Sequence, residues 1–433
     1  MSFNPQEAAD PADANLLARL DRERLWGRVE ALSGFTDPQR PWTRRAFSSL
    51  HARSREWLRE QMQAAGLSTR LDAAGNLIGR REGRRQGAPA LATGSHCDTV
   101  MNGGRFDGII GVLAGIEIAH ALDACGAVLE HPLEVIDFLS EEPSDYGISC
   151  VGSRGLVGLL DDSMLASPNP EGETLAQGML RIGADPSRLH PPLRGPGDTA
   201  AFVELHIEQG PVLESRNLPV GVVSHIVGIR RVALTVEGRP DHAGTTPMDL
   251  RCDALVGAAR LIEAVHARAQ ALSIGPDYVV ATVGRLDMTP NVPNAVPGRV
   301  DMVLEVRSDN TEVLNDFPEV VLAAAAGGLK ALRVAAHLRE LSRSAPTACD
   351  PMVMRAIEAA AGALGYESMV LPSGAGHDAA YMARTGPMGM VFIPCRNGRS
   401  HCPEEWTAPQ QLMDGTRVLA ASLLRLDRAL STR

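Results

Sequence analysis

Four stretches of the 433-residue chain gather side chains that bind cations and move protons. GSHCDTVMNGGRFDG holds His96, Asp98 and Asp107, LEVIDFLSEEP ends on Glu141 and Glu142, VELHIEQGP carries His206, and GRSHCPEEW carries His401. Imidazole and carboxylate are natural ligands of a borderline divalent cation, and Asp98, two residues after His96, is placed to fix that ring's tautomer. Neighbouring side chains leave a strand in different directions, so one of the paired glutamates can bind metal while the other reaches a water. Singly, each stretch also fits something plainer: a helix-capping aspartate, an exposed acidic loop, a structural histidine. Each, however, follows an apolar run, and in an open α/β sheet the strand ends converge where ligands bind.

The elements that must position these residues are legible as patterns. Apolar runs at 88–93 and 133–139 flank a helically patterned segment at 108–123, and strand, helix, strand at this spacing implies a parallel, helix-covered sheet. A Leu- and Arg-rich helical segment leads to Gly66, LDAAGNLIGRR reads as a strand with a glycine-bearing turn, and 200–206 as a further strand. Residues 1–20 read as a loose arm or short helix, and the Pro/Gly/Asp-rich segment 162–199 as a long surface connection. From 219 to 338 the pattern predicts a strand at 232–237, a helix at 253–271, strands at 278–287 and 300–307, and a helix at 312–329, with AAAAGG at 323–328 as a helix end. Residues 351–433 return to helix, strand and helix. The expectation is an α/β protein whose catalytic domain, 1–218 plus 339–433, has a mostly parallel, helix-covered sheet and is interrupted by an inserted α+β domain at 219–338.

Composition removes other classes. Forty-two basic against 52 acidic residues give a net charge of −10, without a dense Lys/Arg run interleaved with aromatics, so nucleic acid is not an expected partner. The sole lysine, Lys330, precedes Ala331, which removes a P-loop and makes a Schiff base improbable. Seven cysteines without a CxxC pair suggest reduced thiols, with Cys402 a bystander to His401. No apolar run has the length of a membrane span and no basic-then-apolar signal pattern opens the chain, so a cytoplasmic protein is expected.

In family order, GSHCDTVMNGGRFDG, SEEPSDYGISCVGSRGLVG, ELHIEQGPVLE, GRPDHAGTTPMDLRCDAL, TPNVPNAVPG with VRSDN, and GAGHDAAYMA with FIPCRNGRSHCPEEW resemble the M20-type metallo-hydrolases, specifically their hydantoinase/carbamoylase amidase branch. That branch contains N-carbamoyl-L-amino-acid hydrolases, allantoate amidohydrolases and ureidoglycolate amidohydrolases. The resemblance implies two divalent ions, Zn or Mn with Co or Ni as options. His96 and His206 would serve one, Glu142 and His401 the other, and Asp107 both, with Glu141 as general base. It further implies that the inserted domain is a lid and dimerisation domain. His242 and Asn294 would then complete the site of a partner subunit in a homodimer, with Arg307 as carboxylate anchor and Gln209 at the carbamoyl or ureido group. The expected substrate is a small carbamoyl or ureido acid. N-carbamoyl-L-amino acids lead, allantoate or ureidoglycolate follow, an M20 dipeptidase is a further option, and a non-catalytic binding protein on this fold is the reading from another class. Pro143 and Asp145 stand where the branch commonly has Gly and Arg. The EEP form and MGMVFIPC look more like the ureidoglycolate group, NGGRFDG and HAGTTPM like the carbamoylase and allantoate groups.

Overall fold

A computed structural model describes residues 11–432, so the expectation for the first ten residues lies outside the described part; Pro11–Leu17 is helical. The chain forms two compact units. One comprises the chain up to Ser224 with Cys349–Leu371 and the stretch from His377 onward; the other comprises His225–Ala348 and Pro372–Gly376. Among the described residues no helix is long and apolar enough to cross a membrane.

In the first unit four strands run parallel, in the spatial order Leu133–Phe138, Ala90–His96, Thr199–Ile207, Met388–Ile393. Their apolar runs do not alternate because both faces are covered, and every residue of Ala90–His96, Leu133–Phe138 and Met388–Ile393 is buried. Antiparallel strands flank them: Leu77–Arg81 pairs with Leu133–Phe138, and Val220–Ile226 with Met388–Ile393. LDAAGNLIGRR is thus the second half of a hairpin, Ser68–Leu71 against Leu77–Arg81. The Ile109–Cys125 helix is apolar all round and buried along most of its length, and ends on Gly126 in the left-handed conformation. Its one buried charge, Glu117, accepts from Arg24 Nε at 2.9 Å, Arg28 Nη1 at 2.7 Å and the Asp21 backbone N–H at 2.8 Å. The 162–199 connection is less of a surface loop than its composition suggests. It contains the helices Asp162–Leu165 and Leu175–Arg181, and Leu175, Met179 and Leu189 pack into a buried cluster.

The second unit is an antiparallel sheet in the order Ala335–Ser344, Gly228–Glu237, Arg299–Ser308, Val279–Thr289. Burial alternates along Gly228–Glu237 and Arg299–Ser308, and the inward residues pack on the helices Ala254–Ser273 and Thr311–Ala331 through Leu261, Phe317 and Val321. Two expectations change here. The strand Ala335–Ser344 lies at the edge and alternates only at its start, where Ala336 and Leu338 pack inward, too short a pattern to reveal it, and AAAAGG lies within Thr311–Ala331 rather than ending it, because propagation on a buried face outweighs the cost of Gly327 and Gly328.

Replacing Glu117 with Ala strands two arginines against a buried helix. We expect a loss of about 3–5 kcal/mol, read as a lower urea midpoint at unchanged slope.

Candidate metal centre

The four parallel strands deliver the ligand-type side chains to one edge of the sheet. His96 ends its strand, His206 is next to last in its own, and Glu141, Glu142 and His401 lie in the loops that follow Leu133–Phe138 and Met388–Ile393. Asp107 sits between the last glycines before the Ile109–Cys125 helix.

Geometry centres on Asp107. Its Oδ1 lies 3.1 Å from His206 Nε2, its Oδ2 lies 3.0 Å from His401 Nε2, and that same nitrogen is 3.0 Å from Glu142 Oε1. Two donor groups result, His96–Asp107–His206 and Asp107–Glu142–His401, with the ligand atoms of each within 4.8 Å of one another. Glu141 approaches from the side, its Oε2 3.7 Å from His96 Nε2, and its Oε1 accepts a weak contact from the Cys150 thiol at 3.6 Å. Main-chain carbonyls orient two rings: His96 Nδ1 lies 3.0 Å from the Asp98 carbonyl and His206 Nδ1 2.9 Å from that of Ile207, which leaves Nε2 as the ligand atom on each.

Asp98 lies beside the ring as expected, its Oδ1 3.6 Å from His96 Nδ1, but the hydrogen bond to that nitrogen is made by its main chain. The backbone carbonyl holds the His96 tautomer, whereas the carboxylate accepts the Glu141 N–H at 3.3 Å and the Glu142 N–H at 3.2 Å, fixing the turn that carries both glutamates. Buried Arg44 anchors the same loop, donating to the Cys97 carbonyl at 2.7 Å and to those of Leu32 and Phe35 at 3.0 Å. Gly108 makes room for the ring, since at its φ of +69° a Cβ would fall 2.5 Å from His96 Nε2. Gln209, also left-handed, donates to Asp107 Oδ1 at 3.1 Å and to Ser400 Oγ at 3.2 Å.

Electrostatics test whether this set suits a cation. Burial, reinforced by Glu142 and Asp378, pushes Glu141 well above the usual carboxylate range, and burial likewise raises Glu142. Burial would also raise Asp107, but hydrogen bonds from His206 and His401 hold it well below. Burial lowers His96 to about 4; on His206 the Asp107 carboxylate overrides burial and lifts the ring to about 9, and Asp107 with Glu142 lifts His401 to about 11. The crowded acids thus lean on the His206 and His401 rings for compensation. A divalent ion in each donor group satisfies the same requirement and leaves the imidazoles neutral as ligands, so the residues fit a metal pair.

Three further groups belong to this cluster and were not singled out from the sequence. Glu204, His206 and His377 form another close donor group, the His206 and His377 rings lie 4.6 Å apart edge to face, and Asp378 accepts a short hydrogen bond from Ser153. Burial pushes Glu204 up to about 7 and holds His377 well below its ordinary value. Glu204 was findable, because two residues before His206 on a strand it shares that residue's face. His377 and Asp378 stand in the quoted segment GAGHDAAYMA, where only their adjacency marks them. Pro143 is exposed, and Asp145 pairs with Arg45 at 2.7 Å.

In the second unit, His242 and Asn294 are neighbours. Asp241–His242 pairs with Ala295–Val296, and the Ala243 N–H donates to the Asn294 carbonyl at 3.0 Å. His242 is exposed and its Nδ1 accepts from Gly244 and Thr245 N–H at 3.0 and 3.2 Å, leaving Nε2–H as a donor. Arg307 is engaged by Glu305 Oε1 at 2.7 Å and by the Gly374 carbonyl at 2.7 Å.

Comparison with known proteins places this arrangement. Residues 92–425 match the peptidase family M20/M25/M40. An N-carbamoyl-L-amino-acid amidohydrolase of Paenarthrobacter aurescens is 40% identical over 95% of this chain and 100% of its own length, and a ureidoglycolate hydrolase of Oryza sativa is 36% identical over 94% and 85%. The crystal structure of a hydantoinase/carbamoylase family amidase from Burkholderia multivorans superposes with a TM-score of 0.87 at 34% identity, covering 94% of this chain and 98% of that one. The chain belongs to the M20/M25/M40 family. Family and donor groups together support bound metal ions.

A methyl group at position 108 would displace the His96 ring. Gly108→Ala is expected to keep its circular dichroism spectrum but lose most of the divalent metal retained after dialysis, as measured by elemental analysis.

Proposed function

We propose that the protein is a dinuclear metal-dependent amidohydrolase that cleaves the carbamoyl or ureido C–N bond of a small carboxylate, with N-carbamoyl-L-amino acids as the leading substrates. The observation that carries this reading is Asp107, whose two oxygens each face an imidazole of a different donor group, 3.1 and 3.0 Å away, with Glu141 alongside. Relatives named for N-carbamoyl-L-amino acids span nearly the whole chain, which supports the substrate class. Ureidoglycolate or allantoate is the second reading, favoured by relatives of those names and, for ureidoglycolate, by the EEP form.

His96 and His206 would hold one ion, Glu142 and His401 the other, and Asp107 both. Bound there, the pair supplies Lewis-acid polarisation of the carbonyl and acidifies the attacking water. Glu141 takes the water's proton and returns it to the departing nitrogen. Gln209 orients the ureido group from its place beside Asp107. His242, through its Nε2–H, and Asn294 hold the developing oxyanion and the substrate, and Arg307 exchanges Glu305 for the substrate carboxylate. Water adds to the carbonyl carbon and one C–N bond breaks, with the proton passing to the departing nitrogen; the carbamic acid left behind loses carbon dioxide by cleavage of its remaining C–N bond, so that the products are an amino acid, ammonia and carbon dioxide.

A panel of N-carbamoyl-L-amino acids, allantoate and ureidoglycolate, assayed for ammonia, should show turnover that a chelator abolishes and Mn, Zn, Co or Ni restores. In the same assay Glu141→Gln should lower kcat by about 10²–10⁴ with metal content nearly intact, whereas Glu142→Gln should lower metal occupancy. Inverted behaviour of the two variants reverses the assignment of base and ligand, and full turnover by metal-stripped protein overturns the reading.

Assembly is testable separately. A homodimer in which His242 and Asn294 serve the partner's site predicts that inactive Glu141→Gln and His242→Ala proteins, mixed and allowed to exchange, regain up to about a quarter of wild-type activity, since half the dimers then hold one intact site of two. Verified exchange without recovery places His242 in its own subunit's site or outside catalysis.

A further inference from the structure

Behind Asp107 lies a second carboxylate that no ligand assignment uses. Glu405 is 1% exposed, and its oxygens face two different loops. Oε1 accepts the backbone N–H of Phe106 at 2.7 Å and of Asp107 at 3.0 Å; Oε2 accepts the Ser400 hydroxyl at 2.6 Å. Ser400 immediately precedes His401, which sits in the left-handed region at φ +55°, a conformation a β-carbon-bearing residue adopts only when its surroundings hold it there. Ser400 also accepts from Gln209, which donates in turn to Asp107 Oδ1. Gly104 is the complement, because a Cβ there would lie 2.0 Å from both Glu405 oxygens, so the backbone passes where only a glycine leaves room.

We propose that Glu405 is a positioning residue that locks the Asp107 loop to the His401 loop and thereby sets the affinity of the metal centre. The inference rests on the metal reading above. Three donors on one buried carboxylate place the main chain of Asp107 and the residue before His401 in a fixed relation, although Glu405 itself reaches neither ion. Both donor groups contain Asp107, so a shift of its loop weakens both, while the loop through Ser400 acts on the His401 group alone. Partners of this kind are worth about 10–100-fold in metal affinity.

The test titrates Mn²⁺ into the metal-stripped full-length protein by calorimetry and records the visible spectrum of the Co²⁺-loaded form. Glu405→Ala is expected to weaken binding by about 10–100-fold and to change the Co²⁺ bands, whereas Glu405→Gln, which keeps an oxygen for the Phe106 and Asp107 N–H groups, should recover most of the affinity. Asp427→Ala is the control: Asp427 caps the Glu130 and His131 N–H groups at 2.9 Å, is likewise buried, and should cost stability without touching metal affinity. If Glu405→Ala is insoluble, Gly104→Ala, which drives the carboxylate out from the opposite side, should give the same loss. Wild-type affinity in the soluble Glu405 or Gly104 variant, or an equal loss in Asp427→Ala, overturns the proposal. Wild-type protein that binds no Mn²⁺ instead overturns the metal reading beneath it.

Discussion

Everything in the first unit answers one electrostatic demand, the concentration of buried carboxylates at the ends of four parallel strands. Asp98, Asp107, Glu142, Glu204, Asp378 and Glu405 are nearly or wholly removed from water, and Glu141 lies beside them. Such a set is tolerable only when its oxygens are largely matched by donors or a cation, because an uncompensated buried charge costs far more than one contact returns. Asp98 spends its oxygens on the Glu141 and Glu142 N–H groups, Glu405 on the Phe106 and Asp107 N–H groups and the Ser400 hydroxyl, and Asp378 one oxygen on Ser153 while its Oδ2 finds no partner among the described residues. Asp107, Glu142 and Glu141 are left directed at imidazoles and at each other, which is what makes this part of the cluster a cation site.

The supporting structure is correspondingly stiff. Strands apolar on both faces cannot slip by one residue without turning a ligand away from the site, so burial specifies register and register places His96 and His206. The Ile109–Cys125 helix, buried along most of its length, seats the loop before it, and Arg44 ties the loop after His96 to carbonyls of the N-terminal region. The second unit is built on another principle, a one-sided antiparallel sheet whose inward residues alternate with exposed ones. Of its candidate substrate groups, His242 stands on a two-residue ladder and Asn294 just before it, and hydrogen bonds between short strands, rather than core packing, hold them together.

Legibility followed burial. The central strands were readable because a strand covered on both faces must be continuously apolar, and the alternating strands of the second unit because period two survives one-sided burial. Ala335–Ser344 escaped because an edge strand mostly exposed to water needs no apolar pattern, and the helices within 162–199 because they are short and interrupted by turn-forming residues. Among the candidate ligands, His96, Asp107, Glu142, His206 and His401 announced themselves by following apolar runs. Glu204 lay inside such a run and was absorbed into the strand, and Glu405 stood in an acidic pair that reads as solvated loop.

Sequence alone therefore determined the residue types available for metal chemistry, the strands that end near them, and the family resemblance, since all three depend on local pattern and motif order. Tertiary structure decided which atoms meet. Asp107 divides its oxygens between His206 and His401, which are far apart in the chain, and the carboxylate of Asp98, 3.6 Å from the ring beside it, takes its hydrogen bonds from the backbone of residues 141 and 142. No local pattern encodes either choice. Both follow from the demand of buried oxygens for donors, and that demand can be met only once the strand ends have been brought together.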